Sequence, residues 1–384
     1  MLPGMRVAIV HELLTMKGGA ENVAKIFAEM FPDAPIYTLL YDEKKLGGWF
    51  PKERVITSTA QNSKLPSARL RTGSAQSFNH HLYLNRFPAA VEAWDFRDFD
   101  LVLSSSSAFA HGIITNGNPK HLCYVHSPAR YLWDRTHDVL ERAGHGLLGP
   151  LKRWYLERSF QSLRIWDSEA ADRPDALIAA SAEVQRRIEL YWRRESRIIH
   201  PPVDDFWFSK TFASKSIEHP RFALTVSTLV PYKKIDRAMA ACKQAGIILK
   251  VVGDGPDRKR LESLNDGNTE FCGYRTREEI ADLYSNAECL IIPGQEDFCI
   301  AALEAMACGT PVLSLRTGGP LETIVEGTTG AFFDEPTAKS LAGALHNFRK
   351  LSFDPEVCRA RAKEFSRERF EREIRAEIDV VMKR

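Results

Sequence analysis

Two carboxylates, Glu296 and Glu304, stand with seven residues between them in the stretch Gln295–Pro311, QEDFCIAALEAMACGTP. The apolar run Cys289–Ile292 before them predicts a buried strand ended by Pro293-Gly294. After them Cys308-Gly309 stops a helical run, and Val312–Leu315 predicts the next strand. Strand, loop, helix and strand make one parallel unit, with the acidic loop at the strand's carboxyl end, where ligands bind in open α/β sheets. The helix's first turn offers unpaired N–H groups and a partial positive charge suited to a phosphate. Glu304 falls inside that turn or just past it. Such a loop can hold an anion on backbone amides and hydroxyl groups on two carboxylates, which is the chemistry of gripping a nucleotide sugar. The same residues also read as a solvated loop acid and a helix N-terminal Glu favoured by the dipole. The pair alone leaves both readings open.

Other residues of the right type are scattered along the chain. MKGGAE sets Gly18-Gly19 against a predicted helix N-terminus, where glycine allows close backbone approach. It is not G-x-G-x-x-G. Gly253-x-Gly255 begins that fingerprint, but Arg258 stands at the third glycine. Both failures disfavour a dehydrogenase. His126 follows the strand-like HLCYVH and so lies at a strand's carboxyl end, as a site residue or a structural one. Asp98-Phe99-Asp100 precedes a strand and reads as a loop. The seven cysteines include no C-x-x-C pair, and an odd number with no signal peptide predicts reduced thiols in a cytoplasm. Cys299 stands out because it lies in the central loop.

These residues need a scaffold of some size. A chain of 384 residues predicts two domains. Hydrophobic content of 44% and charged content of 27% are ordinary for a globular protein. A net charge of +2 supplies no general attraction to nucleic acid. No apolar run approaches a bilayer span, and Val7–Val10 is too short for a signal peptide. Arg6–His11, Ile36–Leu40, Asp100–Ser104, His121–His126 and Ala176–Ser181 read as strands, with helices at Ala20–Met30, Tyr155–Asp172 and Ala182–Trp192. The pattern restarts at Phe222–Ser227, after Pro201-Pro202 and an aromatic, charged linker reaching Pro220. Strands follow at Ile248–Val252, Thr269–Phe271 and Gly330–Phe333, with helices at Ile235–Ala245, Asp257–Leu264 and Thr276–Ser285, the last opened by a Thr276/Glu279 capping box. Two βα arrays joined by a linker predict two Rossmann-like domains. Gln61–Trp94 interleaves Lys64, Arg69, Arg71, His80, His81 and Arg86 with Leu65, Leu70, Phe78, Leu82 and Phe87. It reads either as an anionic-membrane contact or as an amphipathic region packed on its own domain.

The segments STLVPYKKID, VVGDGPDRKRLE, Glu296–Glu304, EAMACGTPV and GGPLETIVEGTTG resemble the retaining glycosyltransferases of family 4, which have the GT-B fold. HELLTMKGGAE, DLVLSSSSAFAHG, CYVHSPARYLWD and IIHPPVD extend the resemblance over nearly the full chain. LVPYKK and Glu296-Asp297 are most similar to bacterial mannosyltransferases of O-antigen and exopolysaccharide assembly. The resemblance implies an α/β fold of two Rossmann-like domains with parallel sheets facing across a cleft. Residues 1–203 plus 366–384 would form the acceptor domain and 204–365 the nucleotide-sugar domain, with the C-terminal helix crossing back.

The resemblance also implies roles. Glu304 would bind the ribose hydroxyls, Glu296 the donor sugar, and the amides of Phe298, Cys299 and Ile300 the sugar and diphosphate. Lys233 would neutralise the diphosphate in place of a metal, without any cofactor. Gly18 and Gly19 would approach the diphosphate, and His126 would reach the transferred sugar. Thr228, Lys234, Gly253 and Asp297 complete the implied donor site. There are two departures from the family pattern. Thr228 stands where relatives carry an arginine that shares the diphosphate with Lys233; Lys234 or Arg316 are the candidate substitutes. Cys299 replaces a common glycine. The implied function is retaining transfer of mannose from GDP-mannose to a polyprenyl-diphosphate-linked glycan in cell-surface polysaccharide synthesis. The setting would be cytoplasmic, peripheral on the inner membrane, with no nucleic-acid partner. A UDP-sugar donor, an epimerase of the same fold and a non-catalytic subunit are the alternatives.

Overall fold

A computed structural model describes residues 4–62, 84–117, 119–144, 146, 148–209 and 222–384. The chain divides into two units. One comprises Met1–Ala180, Val184–Ile199 and Glu373–Arg384, and the other Ser181–Glu183 and His200–Arg372.

The first unit is built on β1 (Val7–His11), β2 (Leu13–Leu14), β3 (Ile36–Thr38), β4 (Leu40–Tyr41), β5 (Val55–Thr57), β6 (Leu101–Ser106), β7 (Lys120–Val125), β8 (Ala176–Ala179) and β9 (Arg197–Ile198). Its main sheet runs β5-β3-β1-β6-β7-β8-β9, with β2 and β4 paired separately. Every strand pairing among the described residues is parallel. All five residues of β1 and all six of β6 are buried, as parallel strands covered on both faces require. Their register sets His11 beside Ser105 and, on the other side of β6, Val125 beside Ser106. The core gathers Val10, Tyr37, Val102 and Phe109 with Leu156, Phe160 and Leu163 of the helix Gly149–Ala170. The D-x-D motif is structural: Asp100 accepts from the Arg6 backbone N–H at 2.8 Å and from its guanidinium at 3.2 Å.

The second unit carries β10 (Phe222–Val226), β11 (Ile248–Val252), β12 (Thr269–Gly273), β13 (Cys289–Ile292), β14 (Val312–Leu315) and β15 (Gly330–Phe333), ordered β12-β11-β10-β13-β14-β15 and parallel throughout. Alternate residues of a strand point to opposite faces. Accordingly Leu290 and Ile292 enter one apolar cluster while Cys289 and Ile291 enter another. The sheet is therefore the middle layer between two sets of helices. The capping box forms, with Thr276 Oγ1 accepting from Glu279 N–H and the Glu279 carboxylate accepting from Thr276 N–H.

One expectation is corrected and one open reading is narrowed. The stretch after Pro201-Pro202 does not begin as a linker. Val203 and Trp207 are buried in the second unit's core, and Val203 N–H donates to the Phe365 carbonyl at 2.9 Å. An indole that can be covered is not left in solvent. Within Gln61–Trp94, residues 63–83 lie outside the described residues. Beyond them Leu84, Phe87 and Val91 are buried in the first unit's core, so these apolar residues serve packing rather than a membrane face. The final helix, Arg367–Val381, buries Phe370, Ile374, Ile378 and Val381, a one-faced spacing, and the division between units falls within it. No helix among the described residues is long and apolar enough to cross a membrane.

Candidate functional site

In the second unit, the acidic loop leaves β13 and enters the helix Ile300–Ala307. A short turn, Pro231–Lys233, follows β10 beside it. The two loops touch: a Cβ on Gly294 would meet the Tyr232 carbonyl at 2.8 Å. That approach brings Lys233 Nζ into an ion pair with Glu296 Oε2, both side chains mostly buried. Burial alone would push the Lys233 ammonium down, but Glu296 and Tyr232 hold it up at about 12. The pair and Cys299 line a cavity of about 20 Å³ at the carboxyl ends of β10 and β13.

The loop's backbone is held from behind. Glu296 bridges to Gly318, and its carbonyl accepts from Gly319 N–H at 3.0 Å. Gly319 passes so close that a Cβ there would meet Phe298 Cα at 2.2 Å and the Asp297 carbonyl at 2.6 Å. Phe298 is buried and stacked on His200 at 5.5 Å, and His200 is held by Glu322 at 2.8 Å. With the Phe298 side chain turned into the core, the N–H groups of Phe298, Cys299 and Ile300 find no partner among the described residues. Cys299 caps the helix with φ 70°, a left-handed conformation that favours glycine. Its thiol is pushed well above the ordinary range by burial.

Glu304 lies one turn into the helix and accepts from the Tyr284 hydroxyl at 3.3 Å. Burial pushes its carboxyl up to about 7, against the Tyr284 hydrogen bond and the attraction of Arg277. Tyr284 and Arg277 were not legible as site residues, because the contact spans a strand and no spacing announces it. Gly253, with φ 123°, would bring a Cβ within 2.0 Å of the Ser227 carbonyl, so only glycine lets this turn pass the loop of Thr228. Thr228 itself is exposed. Of its two candidate substitutes, Arg316 is committed elsewhere. Its guanidinium holds the Glu326 carboxylate at 2.8 and 2.7 Å and Asp334 at 2.5 Å. Lys234, in the left-handed conformation at the next helix's start, makes no ion pair among the described residues.

In the first unit, Gly18 caps the helix Gly19–Met30 as expected, but the place is occupied by the chain itself. A Cβ on Gly18 would meet Glu21 Oε2 at 2.6 Å. Burial pushes Glu21 up to about 7. Nearby in sequence, Glu12 Oε1 accepts from Ser107 N–H at 2.6 Å and Ala108 N–H at 2.5 Å. Its carboxyl too is pushed up to about 7 by burial. His126 lies just past β7, and its Nε2 is 2.8 Å from Ser105 Oγ. A larger cavity of this unit, about 490 Å³, is lined by Asn85, Trp154, Tyr155, Arg158 and Trp166, none of them a predicted site residue.

Comparison with known proteins bears on the family and the fold. The family described as glycosyl transferases group 1 matches residues 208–365. The GDP-mannose-dependent alpha-mannosyltransferase of Corynebacterium glutamicum is 34% identical over 174 residues, 44% of this chain and 41% of that protein. A GDP-mannose-dependent alpha-(1-6)-phosphatidylinositol dimannoside mannosyltransferase of Mycobacterium tuberculosis is 35% identical over 129 residues, 32% of each chain. The first curated relatives are matched over 36%, 41% and 28% of their own lengths, so the alignments span well under half of those proteins. An Anabaena protein solved in complex with UDP superposes with a TM-score of 0.70 at 16% identity, over 98% of this chain and 100% of that one. The two parallel-sheet domains and long terminal helix are the GT-B fold. Residues 208–365 belong to the group 1 glycosyltransferases, and the chain around them has the GT-B fold.

Proposed function

We propose that the protein transfers mannose from GDP-mannose, with retention, to a lipid-linked glycan acceptor in cell-surface polysaccharide synthesis, working at the inner membrane surface. One observation carries the reading. A nearly buried Lys233–Glu296 pair stands beside three N–H groups that have no partner among the described residues, at a helix start, with Glu304 one turn further on. Cation, amides and two acids fit the diphosphate, sugar and ribose of one donor. Residues 204–365 bind that donor, and residues 1–203 with 366–384 serve the acceptor.

In this reading the C1–O bond to the diphosphate breaks while the acceptor oxygen bonds to C1 on the same face. The acceptor proton passes to the leaving phosphate oxygen. Lys233 neutralises the charge that develops there, a role worth orders of magnitude in rate for a preorganised cation. Glu296 and Glu304 accept hydrogen bonds from sugar and ribose hydroxyls rather than acting as acid and base. The Phe298, Cys299 and Ile300 amides meet the sugar and diphosphate, Gly253 and Asp297 shape the loops around them, and Gly18 and Gly19 approach the diphosphate after Glu21 gives way. Lys234, which makes no ion pair among the described residues, can take the place Thr228 leaves open.

The similarity to GDP-mannose-dependent relatives supports the donor, and the UDP bound by the Anabaena protein marks the competing choice. Thermal-shift titration separates them. GDP and GDP-mannose should raise the melting temperature at concentrations where UDP and UDP-glucose do not. Stabilisation by UDP-sugars alone would replace the donor assignment.

A further inference from the structure

Three consecutive serines end β6, and each hydroxyl meets an imidazole. Ser104 Oγ lies 2.8 Å from His121 Nε2, and Ser106 Oγ lies 3.3 Å from His111 Nδ1. Ser105, on the opposite face by strand alternation, meets two rings: His126 Nε2 at 2.8 Å and His11 Nδ1 at 3.1 Å. The sheet register makes this possible. His11 ends β1 directly beside Ser105, and His126 follows β7, its N–H donating to the Ser106 carbonyl at 2.8 Å.

A hydroxyl has one proton to donate. Burial pushes His11 down to about 4 and His126 down to about 3, so both rings are neutral, each with one N–H and one lone pair. Ser105 Oγ could accept from both rings only by leaving its own buried proton without a partner among the described residues, so it donates to one ring and accepts from the other, and the two imidazoles play opposite parts. His126 Nδ1 has no partner among the described residues. A bare lone pair tolerates that better than an unpaired N–H, which forfeits a full hydrogen bond.

We infer that Ser105 and His11 are positioning residues for His126. His126 Nε2–H donates to Ser105 Oγ, the Ser105 hydroxyl donates to His11 Nδ1, and His126 Nδ1 is left as an acceptor for a hydroxyl of the sugar substrate. The last step rests on the reading of His126 as a sugar contact. The array itself does not.

Long-range ¹H–¹⁵N correlation on histidine-labelled wild-type protein tests the array without substrate, with His126→Gln and His11→Gln assigning the signals. His126 should show a single tautomer protonated at Nε2, and His11 should show a bare Nδ1. Ser105→Ala should convert His126 to a tautomer mixture and lower kcat about ten- to a hundredfold with the donor KM unchanged, as a displaced contact does. Ser105→Thr, which keeps the hydroxyl, should restore both. A wild-type His126 protonated at Nδ1 would overturn the proposal. So would an unchanged tautomer, or unchanged kcat, in Ser105→Ala. If the wild type showed the expected tautomer but turned over no sugar nucleotide, the array would stand and the reading of the reaction would fall.

Discussion

At the residue scale, the proposed donor site turns on the Lys233–Glu296 pair. Both members are largely out of water, so removing one strands the other. Lys233→Met should lower kcat/KM at least about a hundredfold and cost about 1–3 kcal/mol in urea unfolding. Adding Glu296→Gln should recover most of that stability and none of the turnover. Recovered turnover would show that the lysine serves only to neutralise Glu296. Thr228 gives the converse test. Thr228→Arg should raise kcat if the site lacks a second cation, whereas an unchanged rate would mean Lys234 already fills that place. In the sequence, Glu296 and Glu304 stand out by their place after a strand and at a helix start, which left their role open, and Lys233 stands out only through the family resemblance. The sequence was silent on Tyr284, Arg277, Glu21 and Ser105. Their contacts are made across elements, and nothing local marks them.

At the element scale, most of the framework was legible. Cys289–Ile292, Val312–Leu315, Ile248–Val252 and the helix Ile235–Ala245 form over the predicted residues, because apolar runs bounded by glycine and proline leave little choice. Periodicity misled where chain direction alone had to decide. Trp207 reads as linker and is core; Phe87 reads either as membrane face or as packing, and it packs. Sequence leaves such residues open because an aromatic among charged residues has the same pattern whether its partner is lipid, solvent or protein. The loop holding Glu296 depends on a neighbour the sequence merely hints at, Gly319. Gly319→Ala should cost more than about 2 kcal/mol, since backbone rather than a flexible side chain meets the new Cβ. It should also raise the donor KM, because the loop amides move with it. A stable Gly319→Ala protein with wild-type KM would separate the loop from donor binding.

At the scale of the whole molecule, buried ionisable groups set the pH response. Glu12, Glu21, Asp167 and Glu304 are each pushed up to about 7 by burial. The folded chain therefore holds more protons than the unfolded one between the ordinary carboxylate range and pH 7, and stability falls as pH rises through that window. Burial pushes His11 down to about 4 and His111, His121 and His126 down to about 3. Here the unfolded chain takes up more protons, so stability falls as pH drops below the ordinary histidine value of 6.5. The two trends oppose each other, and melting temperature should peak near about pH 6 and fall on both sides. Glu304→Gln should flatten the alkaline limb. A melting temperature that climbs steadily to pH 8 would mean that these carboxyls are ionised in the fold without penalty.

The proposed reaction couples donor turnover to an acceptor hydroxyl. Its most direct measurement is nucleotide release from GDP-mannose, UDP-glucose and UDP-N-acetylglucosamine, each with and without a polyprenyl-diphosphate-linked glycan. Release of GDP from GDP-mannose, dependent on the acceptor and lost in Lys233→Met, is the predicted result. Equal release of UDP from a UDP-sugar, isomerisation of the sugar without nucleotide release, or donor binding with no turnover under any condition would contradict it.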